Sequence, residues 1–172
     1  MTLGGYEKST GKRSGGIRSI ALTSVSDITG VETNNASGIC TGISFVENGG
    51  FGTYEFMEGE ASYTEEISIA DGVTEVKHEI QFAIERPDNE SAKTISELLK
   101  TSREGIVAIV TTNSNVSFLV GYSDKFGTEQ PLRLEKAKMS TGSNPANNTT
   151  EIITLVSRDD CKSMVYNDST AV

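Results

Sequence analysis

The sequence predicts a mainly β protein: an antiparallel barrel or sandwich with one packed α-helix and one long β-hairpin built for oligomerisation. Three observations carry this. Residues Glu55 to Glu85 alternate apolar and polar with period two around a central Asp71-Gly72. Only one window, about Glu90 to Ser102, has an apolar stripe of helical spacing. The composition is rich in Thr, Ser, Gly and β-branched residues and poor in Ala and Leu.

Taken in order, Met1 to Gly16 is Gly-rich, basic at Lys8, Lys12 and Arg13, and apolar only at Leu3 and Tyr6. It is read as a flexible N-terminal arm that is either a loose tail or orders on another subunit, with 17–172 as the single folded domain. Ile17 to Ser24 is the first strand, with Ile20 and Leu22 inward. Ser26 to Ser37, with Asp27, Gly30, Asn34 and Asn35, reads as a polar loop. Ile39 to Val46 is a second strand, closed by the turn Glu47-Asn48-Gly49-Gly50.

The long hairpin follows. Asp71 and Gly72 suit a two-residue type I′ turn, whose central residues need positive φ. Such a turn sets Ala61 opposite Phe82, Tyr63 opposite Ile80 and Ile67 opposite Val76 on one face. On the other, Glu66 meets Lys77, Ser62 meets Gln81 and Thr64 meets Glu79. One register thus sorts both strands, and a slip by one residue would mix them. The apolar face, Tyr63, Ile67, Ile69, Val76, Ile80, Phe82 and Ile84, is expected to pack on the subunit body or on a neighbour. Arms of roughly 13 or 14 residues at about 3.3 Å each reach about 45 Å, beyond the roughly 30 to 35 Å width of such a domain. The hairpin is therefore expected to overhang its domain and seek strands of another subunit; the alternative is a bend around its own barrel at Gly59.

Pro87-Asp88-Asn89 stops the hairpin, and Asp88 or Asn89 caps the helix. Ala92, Ile95, Leu98 and Leu99 form the stripe it lays on a sheet. Ile106 to Thr112 and Val116 to Tyr122 make a short core hairpin across Asn113-Ser114-Asn115. Pro131 to Met139 is another strand, Thr141 to Asn148 a loop, and Thr150 to Ser157 the last clear strand. The tail from Arg158 is polar apart from Met164, Val165 and Tyr166.

The formal net charge of -9 argues against a protein that neutralises duplex phosphates. No apolar run reaches the length of a membrane span and the N-terminus has no hydrophobic signal core, so synthesis in the cytoplasm and no membrane binding are expected. The sequons at Asn115 and Asn148 then follow from a composition rich in Asn, Ser and Thr. Cys40 and Cys161 are read as free thiols.

Catalytic chemistry finds little purchase. His78, the only histidine, falls opposite Glu65 on the apolar face and reads as a structural pair. Glu55, Glu58, Glu60, Glu65 and Glu66 point to different faces of a strand, and Asp159-Asp160-Cys161 lacks metal-ligand spacing. Gly15-Gly16 and Gly49-Gly50 match no phosphate-binding loop. No enzyme and no cofactor are expected.

The order of features is informative: an arm ending in Gly15-Gly16-Ile17, the oversized hairpin, a single helix near Ser91 to Thr101, and a hairpin across Asn113 to Asn115. Pro131-Leu132-Arg133-Leu134, a loop from Thr141-Gly142 and a strand from Glu151 to Val156 complete it. In this the chain resembles the major tail (tail tube) proteins of long-tailed bacteriophages, fold relatives of the type VI secretion tube protein. The resemblance implies a structural virion protein, assembled in the host bacterial cytoplasm, whose copies form stacked hexameric rings with a continuous inner barrel. Its partners would be itself, other tail proteins and, in passing, DNA. An acidic lumen would let DNA slide without sticking. The implied lumen residues are the wet face of the hairpin, Glu58, Glu60, Ser62, Thr64, Glu66, Glu79, Gln81 and Glu85, with Lys77 partly neutralised by Glu66. Rival expectations are a neck, tail-terminator or baseplate ring component, and a β-sandwich carbohydrate-binding module using Tyr54, Tyr122 or Phe126. The lack of Trp weighs against the module.

Overall fold

The computed structural model of the chain describes residues 15–34, 38–56, 59–85, 89–144, 146–147 and 149–167, except for the side chain of Ser91. Expectations on residues 1–14, on Glu58 and on Asp88 as a cap lie outside these.

Eleven strands and one helix are described. In chain order they are β1 (Ile17–Ser24), β2 (Ile28–Asn34), β3 (Ile39–Phe45), β4 (Gly52–Tyr54), β5 (Ala61–Ala70) and β6 (Val73–Glu85). Helix α1 (Asn89–Glu104) comes next, then β7 (Ile106–Thr112), β8 (Ser117–Val120), β9 (Arg133–Ser140), β10 (Thr150–Asp159) and β11 (Met164–Tyr166). The strands form two open sheets, ordered β2-β3-β11-β8-β7-β1-β4 and β5-β6-β10-β9. All pairings are antiparallel except that of β11 with β3. The fold is therefore mainly β and sandwich-like, and neither sheet closes into a barrel among the described residues.

The main core lies between the sheets. Ile20, Leu22, Ala108, Val110 and Val120 from the larger sheet meet Ile80, Phe82, Ile153 and Leu155 from the smaller. Helix α1 plugs this layer with Ile95 and Leu98, as its stripe predicts; Ala92, at the stripe's N-terminal end, is exposed instead. A second cluster, Cys40, Val107, Ile109, Leu119 and Met164, covers the other face of the larger sheet. That explains why β7 reads as a continuous apolar run: it is covered on both sides.

Four elements differ from expectation. Strand β4, beside β1, falls between the predicted turn and the predicted hairpin. The segment read as a loop, Ser26 to Ser37, contains β2, paired to β3 with irregularities at Ile28/Gly30 and Glu32/Thr33. The polar tail contains β11, which slots between β3 and β8 and so joins the β2–β3 hairpin to the rest of its sheet. The first arm of the long hairpin starts at Ala61, not Glu55, because Gly59 (φ 88) turns the chain before it. The arm is 10 residues long, against 13 for β6.

Candidate functional site: the hairpin sheet and its two edges

The turn geometry fixes this sheet locally. Asp71 and Gly72 have φ of 52° and 78°, the left-handed pair a type I′ turn requires. The arms pair Ala61 with Phe82, Tyr63 with Ile80, Glu66 with Lys77 and Ile67 with Val76. On its other side β6 pairs with β10 from Glu85↔Thr150 to Val76↔Asp159 and no further. Beyond Val76 the hairpin is, among the described residues, a two-stranded ribbon. All ten residues from Glu66 to Glu75 are exposed.

The apolar face divides accordingly. Val76, Ile80 and Phe82 are fully buried, and Tyr63 and Ile84 pack at the margin of the main core. Ile67 and Ile69 lie out on the ribbon, 48% and 73% exposed, with Val73 on the opposite face 68% exposed. Their own protomer leaves them bare.

The wet face of the hairpin continues onto cationic strands. Directly opposed residues share a face, so the side bearing Ser62, Thr64 and Glu66 continues through Lys77, Glu79, Gln81 and Glu85. It runs on over Thr154 and Arg158 of β10 to Arg133, Lys136 and Lys138 of β9. Glu135 is the extra residue of a bulge opposite Thr154 and Leu155, which brings Arg133 and Lys136 to the same side despite their spacing. One edge strand, β5, thus presents Glu66, and the other, β9, a row of cations. Lys77 makes its ion pair with Glu79 (2.7 Å), not with Glu66 as expected. Arg158 pairs with Glu75 at 2.9 Å. Glu60 sits outside the strand, half-buried, with Oε2 enclosed and without a hydrogen-bond partner among the described residues.

His78 is anchored, as its register with Glu65 predicts. It is 3% exposed; its Nε2–H donates to the Cys161 carbonyl (3.1 Å) and its Nδ1 meets the Tyr63 hydroxyl at 2.9 Å. The carbonyl can only accept, which fixes the hydrogen on Nε2. Glu65 Oε2 lies 3.5 Å from Nδ1 and accepts from the Ser163 N–H and hydroxyl, both 2.9 Å, and from Tyr63 at 3.2 Å. Burial raises the Glu65 pKa, but the Ser163 hydrogen bonds, the His78 charge and the Tyr63 hydroxyl outweigh it and hold the carboxyl below its ordinary value. Burial, with Glu65 close by, pushes the Tyr63 phenol well up. This network bolts the segment ahead of β11 to the base of the hairpin. The partners Cys161 and Ser163 are far away in sequence, and nothing local marks them.

The remaining chemical groups are scattered. Ligand atoms of Asp159, Asp160 and Cys161 come within 4.8 Å of one another, closer than their spacing implies, but Lys125 already pairs with Asp160. Cys40 is buried in the second cluster and Cys161 is half-buried. The half-buried aromatics Tyr54, Tyr122 and Phe126 form no shared platform: Tyr54 packs on Phe82, Tyr122 on the second cluster, and Phe126 lies under Lys125.

Comparison with protein-family models, with curated proteins and with solved structures gave no match.

Proposed function

We propose that this chain is a structural virion subunit whose copies self-assemble into stacked hexameric rings, forming a tail tube through which DNA passes. One observation carries the reading: a four-stranded sheet whose two edge strands, of opposite charge, pair with no further strand among the described residues, extended by an exposed apolar ribbon. An isolated ribbon is marginal in water, and an open edge is a template for further pairing. A cyclic array of this sheet removes both edges, since β5 of one copy would run antiparallel to β9 of the next. Four strands per copy, repeated around a ring, make a wall whose wet face lines the bore. Ser62, Thr64, Glu66, Glu79, Gln81 and Glu85 would then face the passing DNA beside Lys77, Arg133, Lys136, Lys138 and Arg158, a wall of mixed charge on a chain whose net charge of -9 disfavours adsorption. No catalytic step and no cofactor enter this role; the sheet works by geometry and charge.

Negative-stain micrographs of the purified chain, concentrated at neutral pH, test it. Hollow rings or stacked tubes are expected. Compact single protomers at every concentration would end the reading.

A further inference from the structure

Resting on that tubular reading, we infer the register of the joint between copies: β5 of one copy pairs with β9 of the next so that Glu66 lies opposite Lys138. Three independent features of the sheet converge on it.

The first is charge. Among the described residues, Glu66, Lys136 and Lys138 make no ion pair within the protomer, and all three are exposed. They sit on the same face of the sheet at its two opposite edges. Lysines on an edge discourage pairing with most strands but accept an acidic one. With Glu66 opposite Lys138, Lys136 becomes its diagonal neighbour.

The second is shape. This register runs Thr64 to Ser68 against Lys136 to Ser140, five regular pairs clear of the bulge at Glu135. Ile67, bare in the protomer, comes to lie against Ala137 on the apolar face. A register two residues back, with Glu66 opposite Lys136, sets Ile67 against the bulged Glu135. One residue either way turns apolar side chains onto the wet face.

The third is closure. Glu66 lies in the row of Lys77 and Lys138 in the row of Ala83, about six residues apart along β6. Joining them offsets each copy by about 20 Å along the strands over four strand spacings of about 19 Å, a tilt of about 45°. Closed barrels tilt their strands by about 35 to 45°. A joint without offset would leave the strands upright and overlap only the first half of β5.

In the lumen that results, the neighbour's Glu66 faces Lys138 with Lys136 diagonal to it at each joint, while Glu79 and its partner Lys77 lie on the wall between joints.

Paired cysteines read the register. In a Cys161→Ser background, Glu66→Cys with Lys138→Cys should give, on mild oxidation, a non-reducing ladder ending at a closed ring. Glu66→Cys with Lys136→Cys should give far less. The reverse preference, or tubes without a ladder from either pair, overturns the register while leaving the tube intact. Absence of rings from the unmodified chain overturns the tube itself, and the joint with it. Charge exchange is a second readout that keeps both strands: Glu66→Lys alone should abolish tubes at low salt, and Glu66→Lys with Lys138→Glu should restore them. No loss from the single change, or no recovery from the double, would also overturn the register.

Discussion

Removing the Glu65 carboxylate should loosen the tie between the hairpin and the C-terminal strand by an amount the geometry sets. In Glu65→Ala, the Ser163 N–H and hydroxyl, each 2.9 Å from Oε2, lose their acceptor. The Tyr63 hydroxyl, 3.2 Å from Oε2, keeps its contact with His78 Nδ1 at 2.9 Å. Hydrogen bonds to a charged group contribute about 1.5–3 kcal/mol each, and water reaches part of the vacated site, so a net loss of about 2–3 kcal/mol is expected. Glu65→Gln keeps an acceptor without the charge and should cost about 1 kcal/mol. The assay is urea unfolding of the dissociated protomer. A chain of this length loses roughly 2–4 °C of Tm per kcal/mol, so the Ala variant should also melt roughly 4–12 °C lower. The pH dependence gives a second axis. The carboxyl pKa is depressed in the folded state, so its stabilisation is present above the unfolded value and is lost as pH falls through the folded one. The gap between wild type and Glu65→Gln should therefore be present above the ordinary carboxylate value and close as the pH falls below it. Equal stability of all three proteins at pH 7, or a gap that widens in acid, would refute the assigned network.

Four further outcomes follow from other parts of the molecule. Gly121→Ala places a Cβ 2.7 Å from the Ile106 carbonyl and 3.0 Å from the Leu132 nitrogen at a φ of 86°, so a loss of about 3 kcal/mol is expected by thermal melting. Ile69→Asp, on a side chain 73% exposed, should change protomer stability by less than about 1 kcal/mol yet block assembly, seen by sedimentation against a melting curve. The Cys161 thiol donates to Asp160 at 3.0 Å, and that bond, with partial burial and the Asp160 and Asp159 charges, pushes its pKa up to about 11. Alkylation at pH 8 should be slow and should quicken in Asp160→Asn, timed by mass spectrometry. Glu79→Lys reverses a wall charge and frees Lys77 from its 2.7 Å partner; tubes should persist while DNA release from assembled particles slows at low salt.

What could be read from the sequence was what local chemistry decides. Asp71-Gly72 dictates a turn, the turn dictates a register, and the register places Glu65 beside His78 without any tertiary information. The helix was equally plain from Ile95, Leu98 and Leu99, though Ala92 belongs to the pattern and not to the core. Elements held by distant partners were not readable. Strand β2 has the polar, bulged composition of a loop and is a strand because β3 lies beside it; β11 is three residues gripped between β3 and β8. The cationic edge was hidden for a subtler reason. Simple alternation puts Arg133 and Lys136 on opposite faces, and only the bulge at Glu135 reunites them. An acidic wall was therefore a reading of half a sheet. The ties from Cys161 and Ser163 onto the hairpin span more than 80 residues of chain and left no trace in spacing.

The most direct measurement is a cryo-electron-microscopy reconstruction of the assembled protein at side-chain resolution. An unbroken β-wall is expected around the bore, each copy contributing β5-β6-β10-β9 and each hairpin ribbon covered by a neighbour. A bore lined by the seven-stranded sheet, or ribbons that remain bare in the assembly, would contradict it.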